Sequence, residues 1–252
     1  FEKLAVTKFF APIPMPSPAD KLGVSRFIPE HLQSEIKPVP AIWQSTESFN
    51  PARLQRANLP EGKYYLKANN GSGSVRAIQL PVCETDAKAL SELTSKWLEF
   101  KHGERAAEWW YGLIGARIFL EEDLRKSDAS VSDWKFHMGG GQILAVQVDL
   151  GRGQNHQQFM FTPEFERLNM DLFFSGKGTV EKPKNYDLMC QAARDIASKF
   201  EFARVDFYNL DGKIFLGEIT LAPMGGLRTP VSEELNTYLS EQWSSGMFST
   251  PE

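Results

Sequence analysis

Residues 202–208 and 213–221 both read as β-strands, and they carry the groups with the clearest chemical potential. Arg204 and Asp206 lie two apart on the first, Glu218 and Thr220 two apart on the second. Side chains two apart on a strand share a face. Asp211-Gly212 between them predicts a hairpin, because glycine takes the left-handed backbone without steric cost. With a three-residue loop, Leu210-Asp211-Gly212, Asn209 opposes Lys213, Asp206 opposes Leu216 and Arg204 opposes Glu218. Asp206 and Glu218 are then diagonal neighbours on one face, with Cβ atoms roughly 7 Å apart. That spacing suits two carboxylates sharing a hard cation such as Mg²⁺, which takes carboxylate oxygens together with substrate phosphates. A two-residue turn would put the pair on opposite faces, so a metal site depends on register. Val205, Phe207, Ile214, Phe215 and Leu216 mark the strands as buried, where charge is costly unless paired or metal-bound. An Arg204–Glu218 ion pair beside a solvated Asp206 accounts for the same residues, and the hairpin alone does not choose.

Lys67 ends a strand-like run, residues 63–67, and leads into Ala68-Asn69-Asn70-Gly71-Ser72-Gly73-Ser74 before a second strand over 75–80. A lysine beside a flexible loop can present a cation and backbone N–H groups to phosphate oxygens. The loop is no Walker A motif, since no Gly-Lys-Ser/Thr opens a helix, and a Gly/Ser hairpin tip also serves as a simple turn. Ile118-Phe119-Leu120 runs into Glu121-Glu122-Asp123-Leu124. It could offer backbone groups and a carboxylate to a purine edge, or end in solvated acids. Asp149, Arg152 and His156 fall in a polar stretch after a strand, suited to a surface loop or to one side of a cleft. His137 reads as a satisfied, partly buried histidine and His102 as a surface residue. Trp97, Trp109, Trp110 and Tyr111 read as packing residues. Ser72 and Ser74 lack a nearby His–Asp pair that would make them nucleophiles.

The elements that must hold these groups alternate between strands and helices, the pattern of an α+β protein. Helical periodicity covers 86–100, with Thr85 as the expected N-cap, and also 187–200 and 233–243. A short helix is expected over 19–27. Strands are expected over 117–120, 133–138 and 142–149, the last two around Gly139-Gly140-Gly141. Prolines at 12, 14, 16, 18, 29, 38 and 40 predict short elements joined by turns over residues 1–60. The 252 residues can bury a large core. A formal charge of −4 and a pI near 5.7 argue against a nucleic-acid or anionic-membrane partner. No apolar run is long enough for a membrane span. Cys83 and Cys190 show no metal-ligand spacing and read as reduced thiols, which with the absence of a signal-peptide pattern points to a cytoplasmic setting. Phe1 opens inside an apolar segment without an initiator Met and reads as the start of a trimmed or excised piece.

Taken in order, the chain shows strand-Lys with a Gly/Ser loop, strand-Glu-Glu, Arg-x-Asp, then Glu-x-Thr twelve residues after the Asp. This order resembles the ATP-grasp superfamily, and more closely its TupA-like branch, associated with teichuronopeptide and other bacterial surface-polysaccharide gene clusters. The likeness runs from Phe1-Glu2-Lys3-Leu4 and Asp20-Lys21 to Pro230. It is carried by residues 65–73, Glu108-Trp109-Trp110-Tyr111, 118–122, Asp133-Trp134-Lys135-Phe136 and 204–220. It implies an ATP-grasp fold, two α/β lobes whose antiparallel sheets enclose a nucleotide cleft. The expected division is a Pro-rich N-terminal lobe over 1–60, a small lobe with the Gly/Ser loop over 61–122 and a large lobe with the metal site over 123–252.

The resemblance also implies roles. Lys67 would contact the ATP phosphates, with Gly71, Ser72, Gly73 and Ser74 closing over them. Glu121 and the backbone of Glu122 to Leu124 would meet adenine, Asp133 the ribose, and Lys135 a phosphate or the substrate. Asp206 and Glu218 would hold Mg²⁺. Thr220 stands where many relatives carry Asn, and its hydroxyl can still ligate the metal. Arg204 would neutralise the transferred phosphoryl group, and Asp149, Arg152 and His156 would line the acceptor side. The implied reaction is amide formation between a carboxylate, of a small molecule or glycan such as a uronic acid, and an amine, through an acyl phosphate. Partner enzymes of polysaccharide synthesis are expected by the same association. A kinase of a sugar hydroxyl and a non-catalytic nucleotide- or glycan-binding module are the rivals.

Overall fold

Apolar residues at every second position over 134–138, 144–148 and 203–207 require a sheet with one face against a core and the other free for polar groups. The computed structural model of the protein describes residues 2–124, 132–151, 155–245 and 247. The chain begins with α1 (Glu2–Phe10), β1 (Ile36–Pro38), β2 (Ala41–Ser45) and α2 (Pro51–Ala57). Next come β3 (Gly62–Ala68), β4 (Val75–Leu80), α3 (Glu84–Glu99), α4 (His102–Arg105) and β5 (Ile118–Glu122). The remainder is β6 (Ser132–Gly139), β7 (Gln142–Leu150), β8 (Gln157–Phe161), β9 (Arg167–Leu168), α5 (Tyr186–Ala197), β10 (Phe202–Leu210), β11 (Lys213–Thr220) and α6 (Glu233–Gln242).

The strands form two sheets. A seven-stranded sheet has the order β1-β11-β10-β6-β7-β8-β9, and a four-stranded sheet the order β2-β5-β3-β4. All pairings are antiparallel except β1 with β11. Residues 1–60 thus supply one strand to each sheet. Behind the large sheet lies α5, whose Tyr186, Met189, Cys190, Ala193, Ile196 and Ala197 recur at helical spacing and are buried. They meet Phe136, Val205 and Phe207, all fully buried. The small sheet packs Leu66, Ile78 and Leu120 against Leu90 of α3. In α3, Thr94 donates its hydroxyl to the Leu90 carbonyl (2.7 Å) and accepts the N–H of Phe49 (2.8 Å).

Three local expectations change. Cys83, not Thr85, precedes α3. Residues 19–27 make turns and a 3-10 segment, Val24–Phe27, in place of a helix, because the Asp20 side chain takes the Leu22 N–H at 3.0 Å and competes with helical bonding. The third change concerns the carboxylate hairpin. Leu210 pairs with Lys213, so the turn has two residues, Asp211 (φ 50°) and Gly212 (φ 81°), both left-handed as the strand twist favours. That register alone would turn Glu218 away from Asp206. A β-bulge restores it: Phe207 pairs with Leu216, but Asp206 pairs with Glu218 and Arg204 with Thr220. Gly217 is the extra residue, and each bulge of this kind shifts the following side chains by one place. A Cβ there would lie 2.9 Å from the Tyr208 ring and 3.5 Å from the Asp206 carbonyl.

Gly217→Ala is therefore expected to destabilise the protein by about 1–3 kcal/mol through overpacking. In urea titrations, Tyr208→Ala should relieve part of that loss, a coupling that an independent effect would not show.

Candidate active site

The polar face of the large sheet is a grid set by strand register. One row runs Glu218, Asp206, Lys135, Gln147 across β11, β10, β6 and β7. Beside it run Thr220, Arg204 and His137 on one side, and Tyr208, Asp133, Asp149 and Gln158 on the other. Every member comes from a strand whose alternate residues are core, so the backbone aims the polar set one way.

Asp206 is the centre of the grid. Arg204 donates to both its oxygens, Nε and Nη2 each at 2.7 Å, and Lys135 Nζ donates at 2.8 Å. Lys135 also donates to Asp133 Oδ2 at 2.6 Å, and Arg204 Nη2 reaches Thr220 Oγ1 at 3.1 Å. Burial alone would raise the Asp206 carboxyl, but Arg204 and then Lys135 outweigh it and hold it down at about 2. His137 is driven to about 4, first by burial and then by Arg204, and stays neutral against Gln147 Oε1 at 3.0 Å. Gln147 in turn donates to Asp149 Oδ1 at 2.8 Å, and His156 Nε2 stands 3.5 Å from that oxygen.

A cavity of about 490 Å³ opens over this face. Its floor includes Lys135, Asp149, Arg204, Asp206, Glu218 and Thr220; residues of α1, the 102–111 segment, the Pro223–Gly226 turn and α6 wall it. Lys8 ties the roof together, donating to the carbonyls of Gly225 (2.6 Å) and Ala106.

The predicted groups separate into two sets. Asp133, Lys135, Asp149, His156, Arg204, Asp206, Glu218 and Thr220 converge on the large sheet, while Ser72 reaches the cavity wall from the hairpin loop. Lys67 and Glu121 stand on the small sheet and form an ion pair with each other. Glu122 and Gly73 are exposed, Leu124 and Ser74 half-buried. Arg152 lies outside the described residues. His102 corrects the surface assignment. Its ring packs edge-on to Tyr111 at 4.9 Å, approaches Glu108 Oε2 at 3.7 Å, and its Nε2 accepts the Ser72 N–H at 3.4 Å.

Sequence reasoning missed Gln147, Gln158, Glu108 and Lys21. The two glutamines had a readable signal: they continue the polar alternation inside apolar strands. Glu108 and Lys21 lay in segments of the family likeness, but no role followed from the sequence, since their place at the site depends on long-range packing. Glu108 is buried, and burial raises its carboxyl to about 7, opposed by Lys8 and assisted by Glu218.

The TupA-like ATP-grasp family model matches residues 12–243. The chain belongs to the TupA-like ATP-grasp family. Solved structures are similar to this chain. D-alanine–D-alanine ligase from Helicobacter pylori superposes with a TM-score of 0.50 at 12% identity, covering 96% of this chain and 67% of that one. The Bacillus anthracis D-alanine–D-alanine ligase complexed with ATP gives 0.48 at 12% identity, over 89% and 65%. The ATP-grasp ligase PsnB complexed with minimal precursor gives 0.44 at 12%, over 89% and 60%. This ATP-grasp chain thus spans less than two thirds of the length of the latter two. Curated protein sequences give no match.

The Glu108 carboxyl yields a pH prediction for this ATP-grasp chain. Its folded value lies above the ordinary 4.5, so the fold disfavours the charged form. The penalty is absent below pH 4.5, grows toward pH 7 and is constant above. Glu108→Gln should match wild type at pH 4.5 and exceed it by about 1–3 kcal/mol at pH 8. Urea denaturation at the two pH values checks this, and a variant equally or less stable at pH 8 contradicts it.

Proposed function

We propose that this chain is an ATP-dependent carboxylate–amine ligase acting in bacterial surface-polysaccharide synthesis. The observation that carries the proposal is the cross-strand Asp206–Glu218 pair, flanked by Arg204 and Lys135 at the floor of a 490 Å³ cavity. Family membership supports ATP as the phosphoryl donor. In this reading residues 61–122 act as the small lobe, 123–252 as the large lobe, and 1–60 close the acceptor side.

The oxygen donors fit Mg²⁺. Asp206, Glu218 and Thr220 are hard ligands on adjacent strands, and no group of three or more acids, histidines or cysteines is placed to hold a metal ion among the described residues. Two carboxylates with the remaining positions left to phosphate and water are what Mg²⁺ commonly accepts. Bound there, it would neutralise phosphoryl charge.

The chain's own residues then do the following. Arg204, fixed by Asp206, presents its charge where the transferred phosphoryl group and the acyl phosphate develop theirs. Lys135 contributes a second buried cation. Lys67 and the 71–74 loop hold the nucleotide phosphates once Lys67 leaves Glu121, and Glu121, Glu122 and Leu124 flank the base. Asp133 takes the ribose. Asp149, Arg152 and His156 receive the acceptor. The γ-phosphoryl passes to a carboxylate oxygen as ADP leaves. The amine nitrogen then attacks the acyl carbon, phosphate departs and the amine gives up a proton. Positioning and electrostatics supply most of the rate.

One observation favours a second reading. His156 beside buried Asp149 is an arrangement that could take a proton from a hydroxyl, which is what a sugar kinase requires. Product mass separates the two chemistries, loss of water for a ligase and gain of phosphate for a kinase.

Thermal unfolding with Mg–ATP tests the site. Wild type should gain about 2.7 kcal/mol at a hundred times Kd, and Glu218→Gln should lose most of that gain. Glu218 is the better probe than Asp206, because neutralising Asp206 would remove the bidentate carboxylate from Arg204 and a carboxylate partner from Lys135, and cost about 3–5 kcal/mol of fold stability. No response to nucleotide in wild type overturns the proposal. A response without ADP release for any carboxylate–amine or hydroxyl acceptor leaves a binding module.

A further inference from the structure

The polar floor continues past Lys135. One strand further, Asp149 on β7 is only 2% exposed and lines the cavity. Its Oδ1 accepts a Gln147 N–H at 2.8 Å and stands 3.5 Å from His156 Nε2. Among the described residues no lysine or arginine forms an ion pair with it. Its neighbour across the strands is a second acid, Asp133, to which Lys135 donates at 2.6 Å. A buried carboxylate without a fixed cation is costly, and a cationic ligand would offset that cost. Beside it lies Gln158, also buried and lining the cavity. Its Oε1 accepts the N–H groups of Phe173 (3.1 Å) and Phe174 (3.2 Å). Those two bonds fix which end of the amide is oxygen. Nε2, with two donors, has no partner among the described residues.

We propose that Asp149 binds the amine substrate as its ammonium, while the Gln158 amide donates to an oxygen of the same molecule. The inference rests on the ligase reading above and deepens it by naming the acceptor class: a primary amine with a hydroxyl or carbonyl on the neighbouring carbon. Asp149 and Gln158 are direct cross-strand partners, with Cβ atoms about 4.5–5.5 Å apart. That separation suits a nitrogen and an oxygen on adjacent carbons. The distance to the metal-site carboxylates suits a nucleophile. Asp149 lies two strands across and two residues along from Asp206, roughly 12 Å between Cα atoms at ordinary strand spacings. An acyl phosphate lying over Arg204 and Lys135 fills that span, and its carbon meets a nitrogen held at Asp149. A neutral hydroxyl acceptor would leave the Asp149 charge unanswered, so the same residue that favours an amine disfavours an alcohol. An Asp149 that served only to orient Gln147 would affect both alike.

The test uses the full chain with saturating Mg–AMPPNP and two probe pairs that differ only in ammonium against hydroxyl: glucosamine with glucose, and alaninamide with lactamide. Binding is read by saturation-transfer NMR. Wild type should bind the amine of at least one pair about tenfold or more tightly than its alcohol, as expected for a charge-assisted contact. Asp149→Asn keeps an acceptor for Gln147 and removes the charge, and it should abolish that preference. Equal binding within both pairs, binding of no probe, or a preference that survives in Asp149→Asn overturns the inference. Should the Asn variant not fold, the side-chain amide signals of Gln147 and Gln158 in wild type decide: they should shift with the amine and not with the alcohol, and unmoved signals overturn it. A wild type that binds Mg–AMPPNP but shows no amine preference leaves the ATP site standing. One that binds no nucleotide removes the ligase reading and this inference with it.

Discussion

A buried carboxylate holding two cations is the constraint on which the site depends. Asp206 is only 5% exposed, and the charges on Arg204 and Lys135 would be as costly to bury alone as its own. Each satisfies the others, with Asp133 and Thr220 taking remaining donors. The network is mounted on three central strands of the large sheet, so its geometry is backbone geometry. Such a centre is preorganised: its charges are already fixed and desolvated.

The core behind the sheet makes that arrangement affordable. Phe136, Val205 and Phe207 alternate with the polar residues and are fully buried against α5. Apolar burial at about 25 cal/mol per Å² offsets the cost of concentrating charge on the other face. The pleat enforces the division, since neighbouring residues on a strand cannot share a side.

The roof follows a different principle. Lys8 and His102 come from the short helices α1 and α4, Lys21 and Glu108 from turns and connections, and carbonyl groups and ion pairs hold them over the cavity. Their side chains span the seam between the two sheets, with Lys21 touching the loop of one and the carboxylate of the other.

The sequence by itself determined the secondary pattern and the floor of the site. Period-two alternation marks Asp133, Lys135 and His137, then Gln147 and Asp149, then Arg204 and Asp206, as polar faces of buried strands. The order of these segments with the Lys67 loop was enough to point to the ATP-grasp fold. Tertiary structure decided the register that unites Asp206 with Glu218. The reason is that a one-residue slip inverts a strand, and here a two-residue turn and the Gly217 bulge cancel each other. It also decided that Lys135 serves Asp206, 71 positions away, and that Lys21, His102 and Glu108 reach the cavity. Those contacts join residues distant along the chain, where neither periodicity nor local propensity carries a signal.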